Sequence, residues 1–151
     1  MSDLKTRVQE DMKTALRSGD KRRLGALRLI LSSIKQREID ERVTLDEAQV
    51  LGVLDKMVKQ RQDSLAQYQS AGREDLAEQE SFEIQVIQGY MPAPLTPDEL
   101  ATLLEDAIKE SGAASPKDMG KVMAALRPKV QGRADMQQVS ALVKDRLTAR
   151  S

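Results

Sequence analysis

Apolar residues recur every three or four positions along almost the whole chain, the period of an amphipathic helix. Leu4, Val8, Met12, Ala15 and Leu16 make a first stripe, with Ser2 expected as its N-cap and Gly19 as its stop. Asp20 is placed to cap a second helix, on which Leu24, Leu27, Leu31 and Ile34 step by three, four and three residues. Thr44 and Glu47 read as a capping box ahead of a long third helix. That helix carries Leu51, Leu54, Val58, Leu65 and Tyr68 and ends at Gly72. A fourth, from about Glu74 to Gly89, presents Ala77, Ile84, Ile87 and Met91.

The pattern breaks at residues 90–96, Tyr-Met-Pro-Ala-Pro-Leu-Thr, because two prolines so close together cannot continue a helix and favour extended chain. A hinge is expected here, with a tight turn inside one domain as the alternative. Beyond it, Thr96-Pro97-Asp98-Glu99 joins a cap, a proline at the first helical position and acids at the positive end of the helix dipole. Leu100, Leu103, Leu104, Ala107 and Ile108 form that helix's apolar face. Ser115-Pro116-Lys117-Asp118 repeats the device before Met119, Val122, Met123 and Leu126, both methionines read as core filling. Pro128 and Gly132 are expected to break the chain before a last helix from about Asp135, carrying Val139, Leu142, Val143 and Leu147. No useful alternating pattern occurs, so the prediction is all-α. It comprises an N-terminal four-helix domain (residues 1–91), a proline-containing linker (92–96) and a small three-helix C-terminal domain (97–151).

Composition removes whole classes of chemistry. The 151 residues contain no cysteine and no histidine. Disulfides, thiolate chemistry, the usual neutral-pH base and the commonest metal ligand are therefore absent, and neither a Ser-His-Asp nor a Cys-His site can be built. Glu74, Asp75, Glu78, Glu80 and Glu83 all fall on one predicted helix, whereas a dinuclear carboxylate site draws on facing helices and includes histidine. No metal, cofactor or catalytic residue is expected. Aromatics make up only 2% of the chain, which removes stacking platforms for single-stranded bases. With no apolar run of spanning length and no apolar leader, the expectation is a protein without membrane association, in the cytoplasm.

Charge sums to zero but is uneven: residues 1–43 carry a net +4, residues 44–115 a net −9 and residues 116–151 a net +5. The basic C-terminal stretch supplies six candidates for contacting nucleic-acid phosphates, Lys117, Lys121, Lys129, Arg133, Lys144 and Arg146. A solvated helix face is the plain alternative. Gly120 sits inside a helical pattern at a cost of about 1 kcal/mol relative to alanine. Close approach of another helix, or of a sugar-phosphate backbone, would compensate. Gly132 is expected to supply a positive φ and so shape the loop presenting Arg133. Asp135 is expected to cap the final helix or to pair with Arg133. Lys21, Arg28 and Lys35, with Arg22, Arg23 and Arg37, form a second basic strip, explained by stems lying over the bundle edge or by a supplementary RNA or protein contact.

The succession of a four-helix part, a Met-Pro-x-Pro-like linker, Asp118-Met119-Gly120-Lys121-Val122-Met123 and Gly132-Arg133-Ala134-Asp135 resembles the YqeY family. That family is related to the C-terminal tail of GatB, a subunit of the glutamine-dependent amidotransferase acting on mischarged tRNA. The resemblance implies a helical N-terminal domain, a small helical C-terminal domain and contact with the outer corner of tRNA, away from chemistry. It also implies an association with carbon-nitrogen ligase activity using glutamine as amido-N-donor, with no catalytic residues here to carry it. The expected function is a non-catalytic tRNA-binding accessory, with amidotransferase or aminoacyl-tRNA synthetase components as further partners. The competing reading is a helical protein-interaction scaffold that binds no RNA.

Overall fold

In the computed structural model, residues 3–150 are described, and among them there are seven α-helices, one 3-10 turn and no strand. The helices are α1 (Asp3–Ser18), α2 (Lys21–Glu41), α3 (Glu47–Ser70), α4 (Glu74–Gln88), α5 (Pro97–Ser111), α6 (Met119–Val130) and α7 (Met136–Arg150), with the 3-10 turn Pro116–Asp118 before α6. None of the described helices is long and apolar enough to cross a membrane. The chain divides into two compact units, Met1–Met91 and Pro92–Ser151.

In the first unit, α3 packs against α4, α1 against α2, and α2 also meets α4. Leu27, Ile30, Ile34, Leu54 and Ile87 are fully buried at its centre. Helix ends are set largely by local chemistry. Asp20 caps α2 by accepting from the Arg23 amide at 3.1 Å, and Gly19 and Gly72 turn the chain with φ of 75° and 71°. The Ser2 cap lies outside the described residues. The cap of α3 differs from expectation: Asp46, not Thr44, accepts from the Gln49 amide, and the Gln49 side chain accepts from the Asp46 amide, both at 2.9 Å. Leu45 explains the shift. Its side chain is fully buried and its amide donates to Glu38 at 2.9 Å, so the turn is drawn inward and helix begins later than Thr44 would place it.

Long-range polar clasps also hold this unit. Lys5 pairs with Glu38 at 2.8 Å and Arg61 with Glu83 at 2.9 Å. The Tyr90 hydroxyl donates to Asp11, and the Arg7 guanidinium stands 5.2 Å from the centre of the Tyr90 ring. Burial, then the hydrogen bond to Asp11, pushes the Tyr90 hydroxyl up to about 12.

The second unit has its own core of Leu104, Ile108, Val122, Leu126, Val130, Val143 and Leu147. Thr96 and Glu99 form the expected reciprocal box at the start of α5, and Gly112 ends that helix with φ 68°. The start of α6 departs from expectation. Ser115 makes no side-chain cap bond, Pro116–Asp118 form a 3-10 turn, and the Asp118 carboxylate accepts instead from the Ala114 amide at 3.0 Å. Pro128 does not end α6, which continues to Val130. A fully buried Val130 holds the last turn in the core, and the turn falls at Gly132, with φ 77°. Asp135 accepts from the Gln137 amide at 3.0 Å, leading into α7. Residues 93–95 are fastened within this unit: the Leu95 amide donates to the Arg133 carbonyl and Arg133 Nε to the Ala93 carbonyl, each at 2.9 Å.

Candidate nucleic-acid interface

The face that α6 turns outward follows from which of its residues are buried. Val122, Met123, Leu126 and Val130 point into the core. At about 100° per residue, Lys121 and Ala124 then fall on the opposite side, with Gly120 and Arg127 on one flank roughly a quarter-turn from the buried stripe, and all four are exposed. Lys117, on the preceding 3-10 turn, is exposed as well. A β-carbon placed on Gly120 would meet nothing within 4 Å. Helix packing among the described residues therefore does not account for this glycine.

The six predicted cations do not gather at one place. Lys121 lies 3.9 Å from Asp118 with its side chain 70% exposed, a loose surface pair. Lys117 and Lys144 make no ion pair among the described residues. Lys129, in the last turn of α6, pairs at 3.8 Å with Glu110 of α5. Arg133 is 3.9 Å from Glu99 and also holds the Ala93 carbonyl. Arg146 pairs with Glu105, which accepts from Arg150 as well, at 2.6 Å.

Arg133 and Arg146 come together, lining a groove of about 490 Å³ floored by Leu95, Leu100, Leu104 and Leu142. Lys144, about 200° around α7 from Arg146, leaves that helix on the flank away from α5. Lys117 and Lys121 stand at the start of α6, on a part of the surface separate from the groove.

Acids set the local electrostatics. Hydrogen bonding to the Ala114 amide holds the Asp118 carboxyl below its ordinary range, with the Ser115 amide and the Lys121 charge adding to it. Glu99 is lowered first by the Thr96 amide, with Arg133 contributing least. Both stay ionised at neutral pH and partly offset the neighbouring cations. Arg127 belongs to the same basic stretch, two residues before Lys129, but is not among the six predicted cations. It is exposed and makes no ion pair among the described residues. Its signal in the sequence is the spacing Gly120, Ala124, Arg127, a four-then-three step that puts small residues and a cation on one face.

Three of the five α4 acids are occupied elsewhere: Glu78 bonds Arg22, Glu83 bonds Arg61 and Asp75 bonds Arg73. Among the described residues no group of three or more carboxylates is placed to hold a metal ion.

Comparison with known proteins gives a family and a set of relatives. The family model described as "Yqey-like protein" matches residues 5–147. A protein of Vanderwaltozyma polyspora named "Altered inheritance of mitochondria protein 41, mitochondrial" is 34% identical over 119 residues, 74% of this chain and 64% of that protein. The protein of the same name from Kluyveromyces lactis is 38% identical over 87 residues, 57% of this chain and 47% of its own length. The one from Pyrenophora tritici-repentis is 28% identical over 145 residues, 92% and 78% respectively. The matched stretch thus spans about half to two thirds of the first two relatives. These relatives are named as mitochondrial, and the cytoplasmic expectation does not stand against that finding. It rested on a missing apolar leader, a feature that does not separate the cytoplasm from the mitochondrial interior.

Proposed function

The chain belongs to the Yqey-like protein family, and on that premise we propose that it is a non-catalytic accessory module that binds tRNA through the outward face of α6. Lys117, Lys121 and Arg127 contact phosphates in this reading, Lys144 extends the contact, and Gly120 lets the sugar-phosphate backbone come close. The observation that carries it is open space at Gly120 between exposed Lys121, only loosely paired with Asp118, and exposed Arg127, which makes no ion pair among the described residues. Arg133 and Arg146, engaged with Glu99 and Glu105, act mainly in shaping the unit. Recognition runs through phosphates and shape, in keeping with an aromatic content of 2%.

The choice of tRNA over other RNA rests on similarity to the amidotransferase tail, as does any link to glutamine-dependent carbon-nitrogen ligation or to amidotransferase and synthetase partners. Two folding domains, residues 1–91 and 97–151, and action in the mitochondrion, the compartment in the relatives' names, belong to the same proposal.

Titration of labelled tRNA with the full chain tests it. Affinity is expected to fall as salt rises, and Lys117→Glu/Lys121→Glu/Arg127→Glu is expected to lower it about tenfold or more, with the salt slope reduced by about one for each phosphate no longer neutralised. Arg146→Ala is expected to leave affinity nearly unchanged. Absence of tRNA binding at low salt overturns the proposal.

A further inference from the structure

Residues 21–37 of α2 contain six lysines and arginines and no aspartate or glutamate. Three of the six are used inside the first unit. Arg22 bonds Glu78 and lies 4.1 Å from the centre of the Phe82 ring. Arg23 hydrogen-bonds the Tyr90 hydroxyl, and Arg37 bonds Glu41 and the Gln49 carbonyl. Lys21, Arg28 and Lys35 are exposed and make no ion pair among the described residues. The nearest acid in sequence, Asp20, caps the helix. Seven-residue spacing brings the three cations back to almost the same direction, about 10.5 Å apart along the axis, so they form a line of roughly 21 Å on the outward face.

Exposed apolar side chains accompany this line. Leu16 is 62% exposed and Ile39, a further four residues along the Lys35 stripe, is 59% exposed. A notch of about 400 Å³ opens between the end of α1 and the start of α2, with Leu16, Leu24 and Gly25 in its lining beside Lys21 and Arg28. Stems lying over the bundle edge explain cations that cover apolar surface. They do not explain leucine and isoleucine left uncovered beside unpaired charges. A phosphate polymer satisfies the charges and leaves the apolar groups in water.

We propose that this face docks an acidic amphipathic helix of a partner protein. An apolar side chain of that helix enters the notch beside Leu16, and carboxylates seven residues apart meet Lys21, Arg28 and Lys35. A helix carries its own side chains at the same axial spacing, so the match is one of pitch as well as of sign. The surface belongs to the first unit and is independent of the α6 face proposed for tRNA.

The test uses the full chain and a labelled 21-residue helical peptide with glutamate at every seventh position and leucine between, alongside a peptide of identical composition scrambled to have no face. The designed peptide is expected to bind more tightly than the scrambled one. Lys21→Glu/Arg28→Glu/Lys35→Glu is expected to weaken it about tenfold or more, and Leu16→Ala and Ile39→Ala about threefold each. These five positions are exposed, and helical circular dichroism verifies that the variants remain folded. Equal binding of the two peptides overturns the proposal, as does full affinity in Leu16→Ala/Ile39→Ala. So does a charge-reversed chain that keeps the peptide and loses tRNA instead, since the strip is then a phosphate-binding surface. Failure of the tRNA proposal is read separately, on the Lys117, Lys121 and Arg127 variant.

Discussion

The first unit holds two half-buried charge pairs beside exposed ones such as Arg22–Glu78, and the second offers looser surface pairs for comparison. In the first, Lys5–Glu38 and Arg61–Glu83 join helices with side chains only 20%/15% and 16%/13% exposed. In the second, Lys121–Asp118 and Lys129–Glu110 are 70%/27% and 42%/62% exposed. A charge drawn into a half-buried clasp is a structural element with a fixed partner. One left at the surface gains little from its partner and can exchange it for a ligand. Net charge along the sequence carries no trace of this distinction, which depends on whether another helix arrives beside the charged group.

The largest effect separates the units themselves. Leu126 is fully buried in the core of the second unit. Leu126→Ala is expected to cost that unit about 2–5 kcal/mol. Because the two cores have separate memberships, calorimetry is expected to show one transition falling while the other stays in place. A single transition shifting as a whole would show that the units fold as one.

The contrast in charge use is sharpened by breaking one pair in each unit. Arg61→Ala removes the partner of Glu83 and a bond to the Met57 carbonyl, and is expected to cost about 1–3 kcal/mol in urea unfolding. Lys129→Ala, by the same measurement, is expected to cost less than about 1 kcal/mol. Equal costs would remove the distinction between clasp and surface pair.

Tyr90 gives the clasp idea a pH signature. Tyr90→Phe forfeits the bond to Asp11 and is expected to cost about 1–2 kcal/mol near neutrality. The native hydroxyl titrates at about 12 against 10.0 for the free group, so the folded protein holds this proton more tightly than the unfolded chain. Its stabilising contribution is complete below about pH 10 and is lost as pH rises toward 12. Urea midpoints taken from pH 8 to 11 are expected to fall more steeply for the native chain than for Tyr90→Phe.

Features fixed by near neighbours were legible in the sequence. Asp20 and Thr96 cap where their spacing to the next amides requires, and Gly19, Gly72 and Gly132 adopt the positive φ that stops a helix. Features decided by tertiary packing were not. Thr44 has no cap role because burial of Leu45 moves the start of α3, and Pro128 is carried inside α6 because Val130 is anchored beyond it. The candidate surface divides along the same line. Lys117 and Lys121 stand near each other because they are four residues apart, whereas Arg146 is held by Glu105, forty-one residues away, a pairing that charge clustering alone cannot reveal. Arg127 lies two residues before Lys129 in the same basic stretch, and only the burial pattern of α6 shows that it stays exposed.

Gly120→Ala gives only a small change in stability and tests most directly what the second unit's surface is for. The residue lies in the first turn of α6 without a positive φ, and an added methyl group has open space around it. Alanine restricts the unfolded chain and suits a helix better, so the substitution is expected to raise stability by about 0.5–1 kcal/mol. If a sugar-phosphate backbone approaches here, the same methyl group stands in its way, and tRNA affinity is expected to fall about three- to tenfold while the unfolding midpoint rises. A methyl group that meets only the ligand makes stability and binding move in opposite directions. Higher stability with unchanged tRNA affinity would show that nothing approaches Gly120 closely, and the phosphate-binding surface would then have to be sought away from α6.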